Sequence, residues 1–329
     1  MKNIRQFVTA AVSAAALLAS SSAYAQTVDW RLHADQPATF WWTTALERFA
    51  GNVSEASGGD IEISVFPSSS LGVPADAILD PVANGNIELA EFVASYVAGE
   101  APYLTVVGLP MIAASAPEAR EIANELRPAQ EQLLSERYGL RILATLASTP
   151  LQLYLGNRDF EGVESLSGLR IRTLGPDQDQ FVESLEAFPT NIPVGELSTA
   201  MASNQVDGII AGIPLIMTQN LVDFGPNIVV WDAIQSPGFL VVGESRWNEL
   251  DADQQAALIE QAQAFEDEVW RDAETQEAQY RIEAEAQGYT IVPISDEDRE
   301  LLISGAQNVW GAWAERNGTE SASLLDLVK

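Results

Sequence analysis

The sequence predicts an α/β protein of two domains facing each other across a hinged cleft, with mainly parallel sheets and one long helix lying across both. Three observations carry this. Strand-like runs alternate with helical-period segments along the chain. The length, 329 residues, is enough for two domains of ordinary size. One segment, 251–287, holds neither proline nor glycine and keeps helical spacing throughout.

Taken in order, residues 28–32 read as a strand and 43–57 as a helix with Leu46, Phe49, Ala50 and Val53 on one face, stopped by Gly58-Gly59. Residues 61–65 alternate strictly and form a strand. A helix over 75–84, a strand over 87–92, a helix over 117–138 ended by Gly139 and a strand over 140–145 follow. A second set starts near Pro150: strands 151–155 and 168–173, helices 177–187 and 197–203, and strands 206–211 and 239–242.

In the long segment, Leu258, Ala262, Phe265, Val269, Gln276 and Tyr280 follow helical spacing. At 1.5 Å per residue such a helix spans about 50 Å, more than one small domain. A coiled-coil pattern fails at Asp272 and Gln276, so the helix is expected to tie the two domains together. Crossings near 150, 237 and 278 give a first domain of 26–149 plus about 238–277 and a second of 150–237 plus about 278–329. Domains that exchange chain repeatedly enclose a cleft with a hinge.

The first residues carry an export signal. Lys2 and Arg5 form a basic start, an apolar run over 8–18 is too short to span a bilayer, and Ala23-Tyr24-Ala25 offers small residues at a signal-peptidase spacing. Residues 1–25 are expected to be removed, with cleavage after Ala25 and delivery to the periplasm. No other segment is apolar enough to cross a membrane. There is no cysteine, which excludes disulfides and thiolate chemistry, and the single histidine, His33, excludes a His pair on a metal. No metal or cofactor is expected.

The formal charge is −30, and loss of Lys2 and Arg5 takes it to −32. This argues against nucleic acid and anionic membranes as partners. It fits solvation of the surface in salty water, where screening blunts self-repulsion. An acidic protein that takes up an anion must place positive charge locally.

Several motifs together resemble one family. Ser57-Gly58-Gly59-Asp60-Ile61-Glu62-Ile63, then Phe66-Pro67 and Leu71-Gly72, is similar to the opening of substrate-binding proteins of tripartite (TRAP) transporters, the DctP-type family. Gly108-Leu109-Pro110 resembles the end of their first half, and Gly168-Leu169-Arg170-Ile171-Arg172 their most specific motif. Residues 189–196, Ala200-Met201, Val206-Asp207-Gly208 and Trp247-Asn248-Glu249-Leu250 resemble later segments, so the likeness covers nearly all of the mature chain. It implies a periplasmic-binding-protein-like fold and a small organic acid handed to integral membrane subunits. It also implies that the second arginine of the Gly-Leu-Arg-Ile-Arg motif, here Arg172, clamps the ligand carboxylate. Two departures narrow the ligand. Many members follow Val-Asp-Gly with Gln-Glu-Asn, whose Asn reaches the ligand, whereas Ile209-Ile210-Ala211 stand here. Relatives that bind sialic acid carry an arginine where Gln152 stands, which disfavours that ligand.

Arg172 ends a strand, where ligands of open α/β sheets bind, and its planar guanidinium matches a carboxylate bidentately. Arg170 shares its face by strand alternation, so periodicity does not separate the two. Arg158 is a further candidate, with an interdomain or structural ion pair as its other reading. Phe40, Trp41 and Trp42 stand where a cleft wall would rise, and Phe92, Val93 and Tyr96 match a family loop that lines the site. Trp231 is expected to line it from the second domain, Ala211 to leave an apolar patch, and His33 to face the cleft or pack as a structural histidine. For each aromatic the competing reading is core packing. The cluster as a whole points to a carboxylate with an apolar or aromatic body.

Two other classes compete with transport: a sensor subunit of the same fold, and a periplasmic hydrolase working with two carboxylates. No Gly-x-Ser-x-Gly, His pair or phosphate loop supports an enzyme. A monomer is expected.

Overall fold

The computed structural model describes residues 27–329 other than 148; the export signal and its cleavage site lie outside the described residues. The first part of the chain forms β1 (Val28–His33), α1 (Trp41–Ala56), β2 (Ile61–Phe66), α2 (Leu79–Ala83), β3 (Leu89–Val93), α3 (Ala116–Tyr138) and β4 (Leu140–Leu146). It continues with β5 (Leu151–Gly156), β6 (Arg170–Thr173), α4 (Pro176–Ser184), β7 (Phe188–Asn191), α5 (Leu197–Ala202), β8 (Gly208–Gly212), α6 (Ile213–Thr218) and β9 (Asn227–Ile234). The last part holds β10 (Gly238–Gly243), α7 (Glu244–Trp247), α8 (Ala252–Ala286), β11 (Thr290–Pro293) and α9 (Asp296–Leu327).

Two sheets organise these elements, one per domain. The first has the order β2-β1-β3-β10-β4 and the second β11-β9-β5-β8-β6-β7. The expectation of mainly parallel sheets is met, with a single reversed strand in each, β10 in the first and β5 in the second. β10 runs antiparallel to β3 and β4, and β5 antiparallel to β8 and β9. Each of these strands is entered straight from the other domain by a few residues.

Trp42 packs at both of the first two crossings. Trp42 is buried in the first core and donates its indole N–H to the carbonyl of Ala147, just past β4. A Cβ on Gly238 would stand 2.9 Å from the Trp42 ring and 3.1 Å from the carbonyl oxygen of Phe92, so only glycine fits where the chain re-enters the first sheet.

The long helix runs close to its expected bounds. Asp251 caps α8 by accepting from the backbone N–H of Asp253 and Gln254, with Gln254 completing a capping box. Leu258, Ala262, Phe265 and Val269 are buried in the first domain's core, and Ala284 in the second's. Arg127 fixes the first half through a 2.6 Å ion pair to Glu266. α9 also crosses. Leu302, Ala306 and Val309 belong to the second core, but Trp313, Leu324 and Leu325 belong to the first. The expected grouping of all of 278–329 with the second domain is therefore not met: the apolar stripe changes core near Trp310, and the helix kinks at Gly318.

Candidate functional site

β1 and β3 run parallel, with His33 opposite Ala90, so their carboxyl ends share one edge of the first sheet. β6 presents its carboxyl end in the second. In β6, Ile171 packs into the core and alternation turns Arg170 and Arg172 to the other face. Arg172 is wholly buried (0% exposed). Its Nε–H donates to the carbonyl of Ile192 at 3.0 Å and Nη1–H to that of Ile210 at 3.1 Å, while Nη2 has no partner. No carboxylate answers it among the ion pairs of the described residues. Burial pushes its pKa down to about 10, partly opposed by the Tyr96 hydroxyl nearby, so it remains a cation at neutral pH. A buried donor left unmade typically costs about 1–3 kcal/mol, and more on a charged group. The fold therefore carries an unanswered cation at the edge of the cleft.

The neighbouring arginines are answered. Asp207 accepts from Arg170 at 2.8 and 3.0 Å and from Arg158 at 2.6 Å. The Arg170 hydrogen bonds, with help from Arg158, hold its carboxyl down at about 2. Arg158 is exposed and committed to this pair, so the structure does not bring it to Arg172.

The first domain contributes acidic and aromatic groups. Glu91, alone among apolar neighbours in β3, is wholly buried; one carboxyl oxygen accepts the backbone N–H of Asp35 at 2.9 Å and the other has no partner. Burial, reinforced by the charge of Asp35, pushes its pKa up to about 8. The Asp35 carboxylate takes only neutral donors, Gln36 at 2.8 Å and Ser69 at 3.3 Å, and its pKa is raised by burial. Tyr96 is 46% exposed, and its hydroxyl is pushed up to about 12 by desolvation and then by Asp35 and Glu91, with Arg172 opposing. It thus senses charges of both domains. His33 is buried with neither ring nitrogen partnered, and burial alone lowers its pKa.

The remaining expected residues divide. Phe40 and Trp41 are half-buried at the start of α1, and the Trp41 indole N–H is buried without a partner. Val93 is buried at the end of β3. Trp42 is 1% exposed and belongs to the core. Phe92 is buried against Phe239 at 6.0 Å, and Trp231 is buried against Phe181 at 5.8 Å with its N–H on the carbonyl of Leu151. Ala211 is buried in β8 opposite Gln152. Phe92, Trp231 and Ala211 are core residues because both faces of each sheet are covered, and Trp42 because the face of α1 that carries it packs into the first core.

The sequence reading passed over Asp35, Glu91, Leu174 and Val194. Leu174 and Val194 are exposed apolar groups, one just past β6 and the other two residues past the Ile192 acceptor of Arg172. A lone charge in the apolar run of β3 was the available signal for Glu91. A groove opens between Ser95 and Ala98 on one domain and Leu174 and Gln178 on the other, lined also by Gln235 and Pro237 of the crossing. Arg172 and Glu91 do not border it; it follows the hinge side of the cleft.

Arg172 is thus a buried cation without a carboxylate partner among the described residues, carried by the second of two α/β domains. Residues 33–317 match the model of the bacterial extracellular solute-binding protein family 7 (DctP), and the chain belongs to that family. It is 27% identical to a solute-binding protein of Roseobacter denitrificans over 263 residues, 77% of this chain and 78% of the relative. Its fold is similar to that of DctP6, a Bordetella pertussis extracytoplasmic solute receptor binding pyroglutamic acid, with a TM-score of 0.82 at 22% identity, covering 92% of this chain and 99% of that one. It is also similar to a TRAP periplasmic solute-binding protein of Sulfitobacter with bound β-D-galacturonate, with a TM-score of 0.79 at 19% identity over 91% and 99%. The family's members are periplasmic binding receptors for transporters and not enzymes. Among the described residues no helix is long and apolar enough to cross a membrane.

Proposed function

We propose that this protein captures a small carboxylate with an apolar or aromatic body in the periplasm, as a monomer freed of its export signal after Ala25, and delivers it to the integral membrane subunits of a TRAP-type transporter. The observation that carries the reading is Arg172: wholly buried, charged, with Nη2 free and no carboxylate partner. A ligand carboxylate would supply the missing acceptor and counter-charge in a desolvated setting, where bidentate geometry favours arginine over lysine. The exposed Tyr96, Leu174 and Val194 support the apolar body, as do the half-buried Phe40 and Trp41. Two solved structures similar to this one hold pyroglutamic acid and galacturonate, both carboxylates. Closure would bring β3 and β6 together by bending the chain between Leu146 and Leu151 and between Ile234 and Gly238, with α8 and α9 following.

A thermal-shift screen across an organic-acid library, run on the native protein and on Arg172→Ala, tests this. A ligand at 100 times its Kd stabilises the folded state by about 2.7 kcal/mol. Hits that vanish in the variant support the reading. Hits limited to highly hydroxylated sugar acids or short dicarboxylates overturn the apolar body, and hits that survive Arg172→Ala overturn the clamp.

A further inference from the structure

The described residues leave few buried side-chain polar atoms without partners, and several gather at one place. His33 ends β1, Trp41 begins α1, Glu91 is the middle residue of β3, and Arg172 lies one residue before the end of β6. Buried groups left open at a domain interface are completed by what enters it. The atoms differ in sign: Arg172 offers a charged donor, and Glu91 an empty carboxyl oxygen.

We propose that the cleft selects a zwitterion, whose carboxylate goes to Arg172 and whose cationic nitrogen, a protonated amine or amidine, goes to the carboxyl pair Asp35–Glu91. The proposal rests on Arg172 receiving the carboxylate. Its own support lies in the first domain. The Glu91 carboxyl lies beneath the loop leaving β1, bonded to the backbone of Asp35, and keeps one oxygen free. Neither carboxyl has a cation. Arg31, the arginine of the same strand, is turned to Glu88 at 3.0 and 3.1 Å, and His33 is neutral in its apolar surroundings. The Tyr96 hydroxyl feels both carboxyls and, from the opposite domain, Arg172, so the two poles lie within electrostatic range of one side chain.

Charge balance then discriminates among carboxylates. Arg172 is a cation, the Asp35 carboxyl takes only neutral donors, and burial favours the protonated form of Glu91. A plain monocarboxylate satisfies Arg172 but leaves Asp35 shut in with no counter-charge. A dicarboxylate adds a second negative group against it. A zwitterion answers both poles, and its N–H bonds fill the open Glu91 oxygen. The acidic pair repels the wrong ligand as much as it attracts the right one.

The test is calorimetry on the full mature chain, with amino, imino and amidino acids set against acids of the same skeleton lacking nitrogen. The expected result is that the tightest ligand carries a cationic nitrogen and its nitrogen-free analogue binds about tenfold or more weakly. Asp35→Asn and the isosteric Glu91→Gln should each weaken the zwitterion by about tenfold and leave the nitrogen-free analogue unchanged or tighter. Circular dichroism melts establish that the variants fold. Equal or tighter binding of nitrogen-free acids or dicarboxylates, lost in Arg172→Ala, overturns the zwitterion and leaves the carboxylate clamp standing. Native affinity of both acid variants for a zwitterion also overturns it. Binding of no carboxylate at all overturns both readings.

Discussion

Arg170 and Arg172 leave the same strand two residues apart and on the same face, yet only Arg170 meets a carboxylate. Asp207 closes on Arg170 with two bonds of 2.8 and 3.0 Å, whereas Arg172 ends on the carbonyls of Ile192 and Ile210 with Nη2 free. One arginine is spent on the fold, and the other is held in reserve at a cost to it.

Arg172→Ala should therefore nearly abolish ligand binding. Removing one partner of a buried, hydrogen-bonded charge pair costs about 2–5 kcal/mol, roughly 30-fold to several-thousand-fold in affinity. Arg172→Lys should recover only part, since a point charge cannot reproduce the fork. Arg170→Ala should lose much less affinity. Calorimetry on the three variants checks the order, and comparable losses at Arg170 would reverse the assignment.

Glu91 should make stability fall as pH rises. Its folded pKa is raised to about 8 from 4.5, so between those values the unfolded chain has released a proton that the folded protein keeps. Its penalty is absent below pH 4.5 and complete above pH 8. Glu91→Gln removes it, and the variant's gain over the native protein should grow from pH 5 to pH 8, reaching on the order of a few kcal/mol. The opposite slope of His33, lost stability as pH drops below 6.5, is common to both proteins and cancels. Differential scanning calorimetry decides, and a pH-independent difference would show that Glu91 ionises normally.

Asp207 should act the other way. Its folded pKa is lowered to about 2 from 3.8, so its contribution is whole above pH 3.8 and fades as pH falls towards 2. The two arginines are about half exposed, and solvent screening reduces the effect to on the order of 1–2 kcal/mol. Asp207→Asn should be less stable at pH 6 and converge on the native protein in acid, as urea melts at both pH values would show.

Saturating ligand should close the cleft, shrinking the small-angle scattering radius and changing the fluorescence of Trp41, the half-buried indole at its edge. An unchanged radius would argue against the hinge.

Moderate salt should hold or raise the melting temperature, because screening relieves repulsion within a chain of net charge −30. A steady drop from low to moderate salt would contradict this.

Local patterns set much of this protein. The glycine and proline punctuation, the strict alternation over 61–65 and the unbroken period of 251–287 are properties of neighbouring residues, and α8 starts and stops within a residue of that reading. The resemblance carried by Gly168-Leu169-Arg170-Ile171-Arg172 singled out Arg172 without any knowledge of its surroundings. Tertiary structure decided which polar groups are answered and which aromatics are buried. Arg170 meets Asp207 across 37 positions of sequence, and Asp35 meets Glu91 across 56. No local period encodes such pairings. Phe92 and Trp231 sit in strands covered on both faces, where alternation no longer distinguishes core from cleft. Burial turns on what packs against a strand from elsewhere in the chain, and that also separates the arginine spent on Asp207 from the one left open beside it.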